Sequence, residues 1–241
     1  MSNKFIKIGG LDIEIIKRSR QKNLYIRIKP PDGDIIVSVP VKTSERVIKN
    51  FLLRKIPEIL KIQERMREQF RQSKREYISG ESCYYFGEPH MLQVIYHDEV
   101  KKFCKVERVP NKIIMRVPAG TSWEKRKKLL TEWYRAELKK FLPIVIKRCE
   151  SKMNLRINSC KIRNMKTRWG SCNIAKRSIL INLQLVKKPV ECLEYVMTHE
   201  FIHLIERNHT HKFRSLLEKY YPEWKSAKKI LNEMPLDYWE K

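Results

Sequence analysis

The sequence lacks long apolar segments and is poor in glycine. Its 241 residues include 7 Gly and 11 Pro, too few for a collagen-like chain or one dominated by flexible linkers. No uncharged apolar stretch approaches the ~20 residues of a transmembrane helix, and the first residues show no apolar segment followed by a small-residue cleavage site. We therefore expect a soluble, cytoplasmic protein with no membrane segment and no signal peptide.

Cysteine pairs are also absent. The six cysteines form neither a CxxC pair nor the spacing of a zinc knuckle, and their arrangement is not typical of a disulfide-stabilised secreted domain. A hydrophobic content of 42% with 10% aromatic residues excludes intrinsic disorder, although 33% of the residues are charged. The composition thus predicts a folded chain with six free thiols, buried or partly buried.

Acidic residues are scarce relative to basic ones. The chain has 52 Lys and Arg residues against 27 Asp and Glu, a net charge of +25. Residues 151–190, which we call the basic segment, contain no acidic residue and ten basic ones: Lys152, Arg156, Lys161, Arg163, Lys166, Arg168, Lys176, Arg177, Lys187 and Lys188. This segment is either an ordinary solvated surface or a positive surface that attracts acidic substrates or nucleic acid. No RNA-recognition signature or Cys/His finger accompanies it, so the charge predicts attraction without sequence specificity.

Two segments of the N-terminal part resemble each other. Residues 35–52 align without gaps on residues 113–130, with eight of the eighteen positions identical. Each copy has a strand pattern ended by Pro, a Thr-Ser helix cap and an apolar-periodic helix. Alternating residues upstream predict a further strand before each copy. The sequence therefore predicts two related β-β-α units, at about 1–72 and 77–150, and a turn at Pro31-Asp32-Gly33 is expected to join the first pair of strands.

The remaining segment, residues 151–241, has a different pattern. Alternating apolar residues predict a strand at Ser178–Val186, which either pairs with an extended peptide along a free edge or is fully paired inside a sheet. Pro189 opens a helix pattern that continues through Arg207. We therefore predict an α+β protein in which the N-terminal region 1–150 precedes a separate C-terminal domain.

That helix contains an HExxH sequence formed by His199, Glu200 and His203. Positions i and i+4 of a helix lie on the same face, so both imidazoles can reach one ion. Zinc accepts neutral imidazole nitrogens and keeps an open position in catalytic sites. Glu200 lies about 100° further round the helix, where it can accept a proton from water without binding the ion. A hydrogen-bonded histidine pair in the core is the alternative to this catalytic zinc site.

A third ligand has to come from outside the motif. We favour His209, because it lies between Asn208, which is suited to ending a helix, and Thr210, which is suited to capping the next one. A chain that reverses there can bring the imidazole back over the preceding helix. The alternatives on chemical grounds are His211, Glu218 and Glu223.

These residues predict a metal-dependent hydrolase of peptide bonds. The metal would polarise the scissile carbonyl, and Glu200 would take a proton from water and pass it to the leaving amine. A side chain that donates to the oxyanion would contribute further; the candidates, which are also candidate substrate contacts, are Arg168, His211 and Tyr220. Two other functions fit the sequence. One is a metal-dependent hydrolase of nucleotide phosphoanhydrides, suggested by the basic segment, and the other is a nucleic-acid-associated module with a structural metal.

Several motifs extend over most of the chain. They are TRWGSC at Thr167–Cys172, an IxLNxxLV-like strand at Ile179–Val186, the HExxH segment Glu194–Phe213, and the segments Tyr77–His90 and Glu132–Leu138. In these residues the sequence resembles the YgjP-like metallopeptidases, a zincin family related to the SprT-like peptidases. The resemblance implies a zincin-like C-terminal domain, a peptide or protein substrate, and one zinc ion.

The resemblance also implies roles for individual residues. It implies zinc ligation by His199, His203 and His209, with Glu200 as the catalytic residue. Arg214 stands where the family tends to have Trp, which leaves the packing behind His209 open, and Phe201 replaces the usual Leu. The TRWGSC motif receives no role from the resemblance; we expect its glycine, Gly170, to permit a turn and its tryptophan, Trp169, to pack against the core.

Overall fold

The computed structural model of the protein describes residues 4–29, 33–68, 75–98 and 103–234. These residues form eleven strands, five α-helices and one 3-10 helix, so the mixed α+β class is as expected. They fall into two compact units, one before residue 72 and one after it. All six cysteines are free thiols, and each is buried or partly buried, as predicted. Within the described residues, no helix combines the length and the apolar character needed to cross a bilayer.

The first unit is a four-stranded sheet with one helix. Its elements are β1 (Lys4–Ile8), β2 (Leu11–Arg18), β3 (Tyr25–Lys29), β4 (Asp34–Pro40) and α1 (Glu45–Glu68). The strand order is β1-β2-β4-β3, in which β2 and β4 are parallel and the other pairs antiparallel. One apolar face of the sheet packs on α1 and forms the core of this unit, which includes Ile13, Val37, Val39, Leu52 and Ile59.

The second unit begins with a sheet of the same strand order. Its elements are β5 (Ser82–Tyr85), β6 (Glu88–His97), β7 (Lys105–Val109), β8 (Lys112–Pro118) and α2 (Trp123–Met153). The order is β5-β6-β8-β7, again with one parallel pair, β6 and β8. The predicted cap of α2 is present, because the Ser122 hydroxyl accepts the N–H of Lys125.

Each sheet therefore has four strands, where the sequence predicted two strands before each helix. The additional strands are β1, β2, β5 and β6, and they join the predicted pairs through parallel contacts that no hairpin turn marks in the sequence. The predicted turn residues Pro31 and Asp32 lie outside the described residues, but the strands on either side pair antiparallel, with Lys29 opposite Asp34. The shared strand order agrees with a duplication, which stays a prediction.

The C-terminal elements of the second unit surround the candidate site. They are β9 (Ser159–Arg163), β10 (Gly170–Asn173), β11 (Ser178–Asn182), a 3-10 helix (Leu183–Lys187), α3 (Val190–Ile202), α4 (His211–Tyr220) and α5 (Trp224–Glu233). Their apolar residues belong to one core with the β5–β8 sheet and α2. The domain boundary expected at residue 150 thus lies inside α2, and the core continues across it.

The strand predicted at Ser178–Val186 is shorter and fully paired. It ends at Asn182, because the Asn182 side-chain oxygen accepts the N–H of Gln184 and starts the 3-10 helix. Within the sheet, β11 lies between β10, which is antiparallel to it, and β9, which is parallel. Of the two arrangements left open by the sequence, the free-edge one is therefore wrong for this strand, and the edge strands of this sheet are β10 and β9.

The hairpin between β5 and β6 contacts the start of α3. Its turn residues Phe86 and Gly87 both have a left-handed backbone, with φ of 43° and 89°. The N–H of Phe86 donates to the carbonyl of Val186 at 2.7 Å. A Cβ atom at Gly87 would lie 2.7 Å from Cγ of Pro189, the residue before α3. The end of this hairpin therefore helps to place the helix that carries HExxH.

Gly87→Ala is expected to lower the free energy of unfolding more than Gly80→Ala. Both glycines have a left-handed φ, +89° and +95°, so either alanine costs about 1–2 kcal/mol of backbone strain. At Gly87 the methyl group also overlaps Pro189, which adds about 1–3 kcal/mol, whereas nothing lies within 4 Å at Gly80. Urea denaturation measures both losses; equal losses would show that the hairpin does not press on the start of α3.

Candidate metal centre

Two of the three candidate imidazoles come from the last turn of α3. His199 and His203 lie four positions apart, and their ring centroids are 5.0 Å apart. The helix ends at Ile202 with His203 as its C-cap, so the predicted extension through Arg207 is wrong. The chain tightens there, because Leu204 donates its N–H to Phe201 and Ile205 to Ile202, which are i to i−3 bonds typical of a helix end.

The third imidazole comes from the bend that follows. His209 precedes Thr210, whose hydroxyl accepts the N–H of Phe213 at 3.3 Å, so the predicted cap of α4 is confirmed. The His209 ring centroid lies 4.9 Å from those of both His199 and His203. The bend therefore brings this side chain back over the end of α3.

The three side chains, which we call the histidine cluster (His199, His203 and His209), offer nitrogen atoms that all lie within 4.8 Å of one another. Nε2 of His199 and Nε2 of His209 are 2.9 Å apart. Nδ1 of His203 lies 3.3 Å from the carbonyl oxygen of Glu206. A proton on that Nδ1 would donate to the carbonyl and leave the Nε2 lone pair free.

The environment favours neutral imidazoles in this cluster. Burial, the neighbouring imidazoles and the Lys228 ammonium together lower the pKa of His199 to about 3, with burial the largest cause. Burial, His203 and Lys228 also lower the pKa of His209. Neutral imidazole is the form that binds transition metals. Lys228, on α5, was not singled out from the sequence, since only the fold brings its charge near the cluster.

Glu200 follows His199 directly on α3, and it is buried. Its side chain is 5% exposed, and burial raises its pKa to about 7, partly opposed by the charge of Arg168. No described residue forms a hydrogen bond with its carboxyl group. A buried carboxyl with a raised pKa beside candidate metal ligands is typical of a functional site.

Gly170 has a different role from the one expected. It does not make a turn: it opens strand β10 and is not among the glycines with a left-handed φ. A Cβ atom at this position would lie 2.7 Å from Oε1 of Glu200 and 2.8 Å from its Cγ. The absent side chain therefore leaves the space that the Glu200 carboxyl occupies. Trp169 packs against the core, as expected.

Asn182 holds the loop that leads into β10. Its side-chain amide donates to the carbonyls of Met165 at 2.8 Å and Arg168 at 2.7 Å, and its oxygen accepts the N–H of Met165 at 3.2 Å. Its backbone N–H donates to the Trp169 carbonyl at 2.9 Å. Sequence reasoning assigned no role to Asn182; the available signal was a single Asn in the apolar segment Ile179–Leu183.

Arg168 lies close enough to Glu200 for its charge to act on the carboxyl, and it is exposed. The other candidate contacts both belong to α4. His211 is its exposed first residue, and its carbonyl accepts a bond from Ser215. Tyr220 is its half-buried last residue and has the Lys219 ammonium over its ring.

Neither alternative carboxylate ligand joins the cluster. Glu218 forms an ion pair with Lys225 at 2.9 Å, and Glu223 is the N-cap residue of α5. Among the described residues, the one group of three or more side chains placed to hold a metal is the histidine cluster itself.

Comparison with known proteins gives a family match and similar solved structures. A family model described as YgjP-like, metallopeptidase domain matches residues 22–234. The crystal structure of the metallopeptidase zymogen of Pyrococcus abyssi abylysin is 21% identical, with a TM-score of 0.33, over 36% of this chain and 86% of that chain. No curated protein sequence matches the chain.

Gly170→Ala is expected to destabilise the metal-free protein by about 1–3 kcal/mol, since the methyl group overlaps the carboxyl of Glu200. In a Glu200→Ala background the same change should cost much less, because the overlapping atoms are gone. A double-mutant cycle on urea unfolding measures this coupling. Additive losses would show that the two positions do not compete for the same space.

Proposed function

Because this chain belongs to the YgjP-like metallopeptidase family, we propose that it hydrolyses peptide bonds with one zinc ion and with Glu200 as the general base. The observation that carries the proposal is the convergence of three imidazoles at the end of the helix that also carries the buried Glu200. A pair of core histidines would not need a third imidazole from a separate bend, and a closed structural zinc site would need a fourth protein ligand.

The donor set fits zinc. His199, His203 and His209 would hold the ion as three neutral imidazoles, which leaves a position open for substrate. The carbonyl of Glu206 at Nδ1 of His203 is the kind of contact that orients a metal-binding histidine. When bound, zinc supplies Lewis acidity toward a carbonyl and lowers the pKa of water.

Glu200 has the properties of a general base at neutral pH. With a pKa raised to about 7 by burial, its carboxylate can accept a proton from the attacking water and return it to the leaving amine. Its position against Gly170 restricts the carboxyl to the side of the helix that faces β10. The base is therefore held in place by packing.

The substrate is proposed to bind as an extended peptide along β10. This strand is at the edge of its sheet, its first residue abuts Glu200, and it packs against α3. Main-chain bonds to a free edge bind peptides with little dependence on sequence. Cleavage would then take place where the bound peptide passes the histidine cluster.

Arg168 is the leading candidate for a contact with the substrate carbonyl oxygen or with a substrate carboxylate. Its backbone is anchored by Asn182, its side chain is exposed, and it forms no ion pair with a described residue. His211 and Tyr220 stay secondary candidates on α4. Arg168 and Lys228 make the surroundings positive, which favours acidic peptides; a nucleic-acid partner rests on net charge alone.

His209→Ala is expected to lower the zinc content of the purified protein sharply, because two imidazoles from one helix turn bind the ion more weakly than three. Glu223→Ala is the matched control and should keep its zinc. Atomic absorption on the two variants and the wild type measures both. Loss of zinc in the control and not in His209→Ala would reverse the ligand assignment.

Glu200→Gln is expected to keep the zinc and to lose about 100- to 10,000-fold in turnover, the usual contribution of a general base. The isosteric amide preserves the packing against Gly170 but cannot accept the proton. The assay uses zinc-loaded protein with a peptide library and a panel of nucleoside di- and triphosphates. Cleavage of the nucleotides without cleavage of any peptide would replace peptide hydrolysis by phosphoanhydride hydrolysis.

A further inference from the structure

One aromatic ring lies against the whole histidine cluster. The ring centroid of Phe213 is 4.8 Å from that of His199, 4.9 Å from His203 and 4.7 Å from His209. The contacts with His199 and His209 are edge-to-face, and the one with His203 is tilted. Phe213 is 2% exposed, so its ring has no freedom to move away from them.

The cap of α4 sets the position of this ring. Thr210 follows His209 directly, and it binds the N–H of Phe213 through its hydroxyl and the N–H of Arg214 through its carbonyl. Helices α3 and α4 also pack against each other. The first turn of α4 is therefore fixed relative to both elements that supply the imidazoles.

The imidazoles need such support to different degrees. Rotation of an imidazole about χ2 is only weakly restricted by its own torsion, so a neighbour has to fix the ring plane. The ring plane of His203 is fixed by the contact of its Nδ1 with the Glu206 carbonyl. Nδ1 of His199 is buried and has no hydrogen-bond partner among the described residues, so its ring plane depends on packing.

We propose that Phe213 is a positioning residue of the metal centre, whose ring fixes the planes of the three imidazoles so that their nitrogens converge. The inference rests on the proposed function, since it assigns Phe213 to the zinc site.

The test is the zinc affinity of Phe213→Leu, which keeps an apolar side chain but removes the ring. Competition with a chelating indicator should give a dissociation constant about 10- to 100-fold weaker than that of the wild type, the usual effect of losing a contact that orients a ligand. The visible absorption of the cobalt-substituted protein should also change, because it reports ligand geometry. If Phe213→Leu does not fold, Phe213→Met replaces it.

Two control variants separate positioning from stability. Leu217→Ala removes an equally buried side chain, 3% exposed, one turn later on α4; it should lower Tm and leave zinc affinity unchanged. Phe213→Tyr keeps the ring and should restore the cobalt spectrum. Wild-type affinity and spectrum in Phe213→Leu, with a lower Tm as in Leu217→Ala, would overturn the inference. Absence of zinc binding by the wild type would instead overturn the proposed function.

Discussion

Burial of α3 is the constraint on which the candidate site depends. Nine of its thirteen residues are buried, and it packs against α2, α4, α5 and β10. Polar contacts pin it as well: the thiol of Cys192 donates to the Ala227 carbonyl, and the hydroxyl of Tyr221 donates to the Glu191 carbonyl. A helix held in this way cannot rotate, because rotation would expose apolar surface and break these bonds. The faces of α3 are thus fixed, so that Glu200 is buried while His199 and His203 stay partly exposed.

Two buried polar residues near the site, Asn182 and Glu200, differ in the hydrogen bonds that their side chains form. Asn182 is 3% exposed, and both ends of its amide bind the backbone of neighbouring segments. Glu200 is about as buried, yet no described residue hydrogen-bonds its carboxyl. Burial disfavours the ionised form of a carboxyl group, and this raises the pKa of Glu200. Asn182 therefore stabilises the loop around the site, whereas Glu200 retains the capacity to exchange a proton.

Local patterns were enough to predict part of this arrangement. Periodicity predicted that His199 and His203 share one helix, and the cap at Thr210 predicted the bend that returns His209 to them. Helix periodicity and helix capping could be predicted because each depends only on residues within a few positions. The role of Gly170 could not be predicted in this way, since its reason is contact with a side chain thirty positions later. The parallel strand pairs and the early end of α3 likewise depend on packing that no turn or cap residue marks.

The positive charges around the site have two opposite effects. They repel a metal cation, and they attract an anionic substrate. Lys228 lowers the pKa of His199 and His209, which keeps both imidazoles in the metal-binding form but also repels a cation. The carboxylate of Glu200, when ionised, offsets that repulsion, and Arg168 favours the ionised form. Arg168 and Lys228 are both exposed, so their field extends into solvent and attracts anions over about a Debye length. In the proposed function, a peptide with its own carboxylate would therefore meet an attractive field outside the histidine cluster, whereas a basic peptide would be repelled there.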